Sequence, residues 1–97
     1  MKSILQSEKE CYICGSQQWL ENHHVFFGTA NRKLSEKYGL TVYLCHNCHN
    51  EQPNGVHHNR ENDLKLKKKV QKIFMAFKSI TSDEFIQIFG RNYLWMK

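Results

Sequence analysis

Two Cys-x-x-Cys pairs, Cys11–Cys14 and Cys45–Cys48, sit in a chain of only 97 residues. A domain this small has a thin apolar core, and a bound metal is one of the usual staples for it. Each Cys-x-x-Cys turn offers two thiolates from one side. Two such turns close a tetrahedral zinc site with Zn–S bonds of about 2.3 Å. The 30 residues between the pairs are no obstacle, provided the fold returns the second pair to the first. The competing readings are a redox dithiol or simple buried thiols. A redox pair expects a βαβ surround, which this pattern lacks. The expectation is therefore a structural zinc on Cys11, Cys14, Cys45 and Cys48, filled by protein ligands and serving folding. A variant in which a histidine such as His49 replaces one cysteine stays open.

The remaining sequence bounds the setting. The longest apolar runs, Val25-Phe26-Phe27 and Ile73-Phe74-Met75-Ala76-Phe77, are far short of the roughly 20 residues that span a bilayer. The first residues lack the apolar stretch of a signal peptide. These features predict a cytoplasmic protein with no membrane partner, where disulfides are rare and paired cysteines more often bind metal or do redox work. Charge is segregated. Residues 1–58 hold five Lys/Arg and five Asp/Glu, together with all six histidines and all four cysteines. Residues 59–97 hold nine Lys/Arg and four Asp/Glu. A basic back behind a Cys/His-rich front points to a polyanionic partner, most plausibly nucleic acid.

Local patterns place the motifs. Residues 1–10 read as loose or as a short helix. Cys11 to Gly15 reads as a metal knuckle, with Gly15 free to take the positive φ such turns need. Trp19 to Phe27 reads as a strand with a polar patch, Arg32 to Tyr38 as a short helix stopped by Gly39, and Leu40 to Leu44 as a second strand. Cys45 to about Glu51 is a knuckle entering a helical turn, and Gln52 to Gly55 is a turn. Asn59 is a candidate N-cap for a long helix from Arg60 to about Ser79, with Leu66, Val70, Ile73, Phe74 and Phe77 as its apolar stripe. Thr81 and Glu84 form a capping box that opens a last helix through Phe89, ended by Gly90.

If zinc takes the cysteines, six histidines remain. Imidazoles hold catalytic metals in sites with an open position, and near neutral pH an imidazole also serves as a general base. His23-His24, His49 and His57-His58 lie at three places tethered to the knuckles and could supply both roles. The plain alternative is polar surface histidines in loops, and His46 is the best candidate for such a solvent-facing residue.

In order, Cys11-x-x-Cys14, His23-His24, the strand ending Tyr43-Leu44, and Cys45-His46-Asn47-Cys48-His49-Asn50 resemble the HNH endonucleases, the ββα-metal family, in its zinc-braced form. The stretch from His23 to Asn59, with Gly28-Thr29-Ala30-Asn31-Arg32-Lys33 and Gly55-Val56-His57, looks most like small phage-encoded HNH proteins. The specific motifs cover about residues 11–59. The implied fold is α+β: a small ββα-metal core at 11–59 and a basic helical extension at 60–97, in a single domain 1–97. The resemblance implies that His24 is the general base and that His23 and His49 hold a catalytic divalent ion, with His57 or His58 completing the set and Asn50 a further candidate. The ion would be Mg, Mn or Ni, and the location the bacterial host cytoplasm. Two positions depart from the family. Its middle Asn falls here at Leu40, and the position one turn after the last motif histidine is Pro53.

Lys65, Lys67, Lys68, Lys69 and Lys72 line the long helix. They read either as a solvated amphipathic face or, with Arg32 and Lys33, as phosphate contacts that seat DNA over the metal site. Trp19, Phe26, Phe27, Phe85, Phe89, Tyr93 and Trp95 read as core rather than base-stacking platforms. The leading reading is a divalent-metal-dependent endonuclease that hydrolyses DNA phosphodiesters, on duplex, branched or single-stranded DNA. The alternative is a non-cleaving, zinc-containing nucleic-acid-binding module with an HNH-like fold, and a protein-interaction role is third. A homodimer would let so small a nuclease cut both strands, though no residue pattern specifies one.

Overall fold

The computed structural model describes residues 3–96. In chain order the elements are β1 (Leu20–His24), α1 (Thr29–Tyr38), β2 (Thr41–Cys45), α2 (His46–His49), α3 (Arg60–Lys78) and α4 (Ser82–Phe89). A 3₁₀ turn at Tyr93–Trp95 ends the described chain. This is a small mixed α/β arrangement built on a two-stranded sheet. Among the described residues no helix is long and apolar enough to cross a membrane.

The strands pair antiparallel, with Leu20 opposite Cys45, Glu21 opposite Leu44, His23 opposite Val42 and His24 opposite Thr41. Side chains alternate along a strand. Glu21 and His23 therefore share one face, while Asn22 and His24 share the other. α1 bridges the strands and is closed by Gly39, whose φ of 72° only glycine adopts without strain. Ser35 on α1 is fully buried, and its Oγ donates to the Phe26 carbonyl at 2.7 Å while accepting from the Phe26 N–H at 3.1 Å. That pair anchors the chain just after β1. Of the first ten residues, the described ones, 3–10, form no helix. They strap the β2 side instead: Ile4 N–H donates to the Gly39 carbonyl, and Gln6 Oε1 accepts from Tyr43 N–H.

The core lies between the sheet and the C-terminal helices. Phe26 is fully buried, with ring centroids 5.4 Å from Phe85, 4.7 Å from Phe89 and 5.2 Å from Tyr93. α3 starts where Asn59 Oδ1 accepts from Asn62 N–H, and α4 starts on the Thr81–Glu84 capping box. Leu66, Val70 and Phe74 of the predicted stripe are buried. Phe77, one turn further along, is exposed because α3 runs past the core there.

Several aromatic residues differ from expectation. Trp19 is 81% exposed and Trp95 73%, and Phe27 is also outside the core cluster. Trp19 has a φ of 56°, which turns its side chain outward while its carbonyl accepts from His46 N–H at 2.9 Å. Aromatic mass does not bring Trp19 into the core, because the backbone beside the knuckle is committed to this hydrogen bond. The strand also ends at His24, so Val25 to Phe27 lead into α1 instead of extending β1.

Candidate metal centres

The first knuckle is a tight turn. Gly15 N–H donates to the Cys11 carbonyl at 2.9 Å, Cys11 N–H to the Ser16 carbonyl at 2.7 Å, and Gly15 takes a φ of 81°. Tyr12 N–H donates to the Tyr43 carbonyl at 2.8 Å, which ties the turn to β2. β2 ends at Cys45 and α2 begins at the next residue, so Cys48 lies on a single helical turn beside it. The thiol sulfurs of Cys11, Cys14, Cys45 and Cys48 all lie within 4.8 Å of one another, with Cys14 and Cys45 3.6 Å apart. A tetrahedral zinc with bonds of about 2.3 Å puts its sulfurs about 3.8 Å apart. The four cysteines thus fit one metal ion such as zinc. Burial pushes the Cys11 thiol up, but N–H groups of Cys14, Cys45 and Ile13 outweigh it and hold the thiol at about 7. Burial pushes the Cys48 thiol far up, so that residue's proton loss is favoured by a cation among the sulfurs. A site with all four cysteines within reach leaves no need for His49 as a substitute.

A second cluster lies on the other side of α2. His23, His49 and His57 bring one ring nitrogen each within 4.8 Å of the others. Their ring centroids are 4.6 to 5.0 Å apart. His23 comes from β1 and His49 from α2. His57 arrives because the loop after α2 folds back on it: Val56 N–H donates to the Cys48 carbonyl at 2.8 Å and His57 N–H to the His49 carbonyl at 3.1 Å. Gly55 makes that return possible, since a Cβ there would sit 2.7 Å from the Glu51 carbonyl oxygen. His23 is 2% exposed, and its Nε2 is buried with no hydrogen-bond partner. Burial, and then the neighbouring His49 and His57, push it down to about 3. His23 is therefore a neutral imidazole with a free lone pair or an unmet proton. An orphaned buried nitrogen facing two further imidazoles fits a bound cation.

Glu21 organises this cluster from the same face of β1. Its Oε1 lies 2.7 Å from His49 Nδ1, and its Oε2 lies 3.0 Å from His46 Nδ1. A carboxylate only accepts, so His49 Nδ1 carries the proton and Nε2 bears the lone pair. Hydrogen bonds led by His49 hold Glu21 below the usual carboxylate range. Sequence reasoning missed Glu21, although its position two residues before His23 on a strand already placed it on the same face.

The other sequence candidates divide. Asn50 is not drawn into the cluster, since its amide donates to Glu21 Oε1 at 3.2 Å. His58 is exposed and lies outside it, so the structure brings in His57 alone of that pair. His46 faces solvent as expected but is engaged, bonding Glu21 and lying 3.2 Å from Glu51. His24 Nε2 lies 3.6 Å from Glu36 Oε2. His24 also lines a cavity of about 240 Å³ together with Asn22, His23, Phe27, Arg32, His49 and His57. Lys33, Lys65, Lys69 and Lys72 are exposed and Lys68 is half-buried. Lys67 is not on the solvated face. It is 8% exposed, bonds Asp63 Oδ2 at 2.8 Å and sits 3.8 Å over the Phe27 ring. Phe27 and Asp63 were also missed by sequence reasoning.

No protein-family model, curated protein or solved structure matches this chain.

Proposed function

We propose that this chain is a divalent-metal-dependent endonuclease of the HNH, ββα-metal kind, hydrolysing DNA phosphodiester bonds. The observation that carries the reading is the meeting of three imidazoles, His23, His49 and His57, of which His23 is buried with an unpartnered Nε2. That trio adjoins a cavity which His24 and Arg32 also line. The antiparallel β1–β2 pair, joined through α1 and followed by the short α2, with the four cysteines bracing it, supports the same reading.

In this reading zinc holds the four cysteines and a second divalent ion is held by His23, His49 and His57. When bound, such an ion neutralises charge on the scissile phosphate and on the departing oxygen. His24 takes a proton from a water molecule, and the resulting hydroxide adds to phosphorus. The bond from phosphorus to the 3′ oxygen breaks, and that oxygen takes up a proton. The products are a 5′-phosphate and a 3′-hydroxyl. Glu36 stands where it can steady the His24 ring. Arg32 lies at the cavity to contact the phosphate, and Lys65, Lys68, Lys69 and Lys72 give the DNA backbone sequence-independent contacts.

The test is nicking of supercoiled plasmid by zinc-loaded protein with Mg, Mn or Ni, beside His24→Ala. Metal-dependent nicking that falls at least about 100-fold in the variant supports the reading, as expected for loss of a general base. DNA binding without nicking by either protein, on plasmid and on branched DNA, would move the assignment to a non-cleaving module.

A further inference from the structure

A buried carboxylate in the first turn of α3 has half of its bonding unused. Asp63 is 9% exposed, and Lys67 takes its Oδ2 at 2.8 Å. Its Oδ1 is buried with no hydrogen-bond partner. An orphaned buried acceptor of this kind calls for an explanation. Asp63 lies in the first turn of α3, where its N–H donates to the Asn59 carbonyl. Side chains on a helix lean toward its N-terminus, and here that direction leads toward the segment carrying His57. Asp63 and His57 interact electrostatically. Lys67, which grips the other oxygen, lies over Phe27, and the Phe27 ring is itself 5.0 Å from His57.

The tautomers say when the spare oxygen is needed. His49 Nε2 carries no proton, because its Nδ1 proton is committed to Glu21. His57 Nε2 lies 3.0 Å from His49 Nε2 and so must be the protonated donor of that pair. A cation in the trio needs a lone pair on His57 Nε2. The proton must then sit on Nδ1, and Nδ1–H needs an acceptor.

We propose that Asp63 is the positioning residue of His57: its Oδ1 accepts the His57 Nδ1 proton when the trio closes on a divalent cation, while Lys67 fixes the carboxylate. The inference rests on the reading of the trio as a metal site. It gives His57 the support that Glu21 gives His49, so two carboxylates from two elements orient two of the three ligands.

The experiment uses the full chain with zinc as the probe, the first equivalent filling the cysteines. Asp63→Ala alone leaves Lys67 buried without its partner and can fail by misfolding. The decisive variant is therefore Asp63→Ala with Lys67→Met, which removes the pair together and keeps most of the lysine stem. Calorimetry measures the second zinc, and nitrogen-15 imidazole spectra read the His57 tautomer. The expected result is a double variant with unchanged helical circular dichroism and first-zinc binding. Its affinity for the second zinc falls by about 10- to 100-fold, the range for loss of such a supporting contact. In the wild type, His57 switches to the Nδ1–H form with a slowly exchanging proton, which the variant loses. A double variant that binds the second zinc within about twofold of wild type, or keeps that proton, would overturn the role of Asp63. A wild type that takes no second zinc would instead sink the reading of the trio itself, and this proposal with it.

Discussion

If the histidine trio holds a metal as proposed, removing Glu21 should weaken that site without touching the four-cysteine one. Glu21 Oε1 holds His49 Nδ1 at 2.7 Å and takes the Asn50 amide at 3.2 Å, while Oε2 takes His46 at 3.0 Å. In Glu21→Ala the His49 ring loses the contact that fixes its tautomer and aims Nε2 at His23 and His57. Loss of such a carboxylate typically costs 10- to 100-fold in metal affinity. The Glu21 side chain is 37% exposed, so water screens part of its charge. The expected loss lies near the low end, about tenfold, or about 1.4 kcal/mol. Glu21→Gln keeps an oxygen that can accept from Nδ1–H but drops the charge, so its loss should be a few-fold. The assay is titration of zinc-loaded protein with cobalt, whose absorption separates imidazole from thiolate coordination. Equal affinities for wild type and Glu21→Ala would refute the reasoning, since His49 would then be held by something else. Equal losses in both variants would show that charge matters and ring orientation does not.

Two further outcomes follow from the geometry. Cys48→Ser should abolish tight binding of the first zinc. The binding energy of such sites, about 10–16 kcal/mol, rivals a domain's whole stability, so the variant should lose its cooperative thermal transition. An unchanged transition by circular dichroism, with or without chelator, would exclude a structural role for the metal. Gln71→Leu should destabilise the joint between α3 and the C-terminal turn. Gln71 is fully buried, accepts from Tyr93 N–H at 2.9 Å and donates to Asn92 Oδ1 at 2.8 Å. Asn92 Oδ1 keeps a second donor in Leu94 N–H, so the chief loss is the stranded Tyr93 N–H. The cost should be about 2–3 kcal/mol. That corresponds to roughly 10–20 °C in Tm for a domain of this size, and a drop below about 3 °C would argue against the bond network.

What the sequence made legible was local. Cysteine spacing foretold a four-sulfur cluster, and Asn59, Thr81, Glu84 and Gly90 marked helix ends that the structure places at those residues. Each cap signal, and each Cys-x-x-Cys pair by itself, acts within a few residues. His23 and His49 were legible as candidates because they border the knuckles. Choosing His57 over His58 was not, since it depends on Gly55 letting the loop fold back along α2. Glu21 lay in between. Strand alternation put it on the His23 face, but only the pairing of α2 against that face gave it His49 to hold.

Lys67 is the instructive case, because the information was present and was outweighed by composition. At about 100° per residue, Lys67 lies about 40° round α3 from Asp63 and about 20° from Phe74, in the middle of the buried stripe. Lys65, Lys68, Lys69 and Lys72 fall on the opposite side. Counting lysines merged the two sets into one basic face, whereas the period separates them. A lysine forced into a stripe needs a counter-charge and a surface for its stem. Asp63 one turn earlier and Phe27 beneath it provide both. The same period predicts different consequences for the two sets. Under the proposed nuclease reading, reversing Lys65, Lys68, Lys69 and Lys72 should weaken binding to any DNA and flatten its salt dependence. Reversing Lys67 puts a second carboxylate beside Asp63 and should first cost the fold.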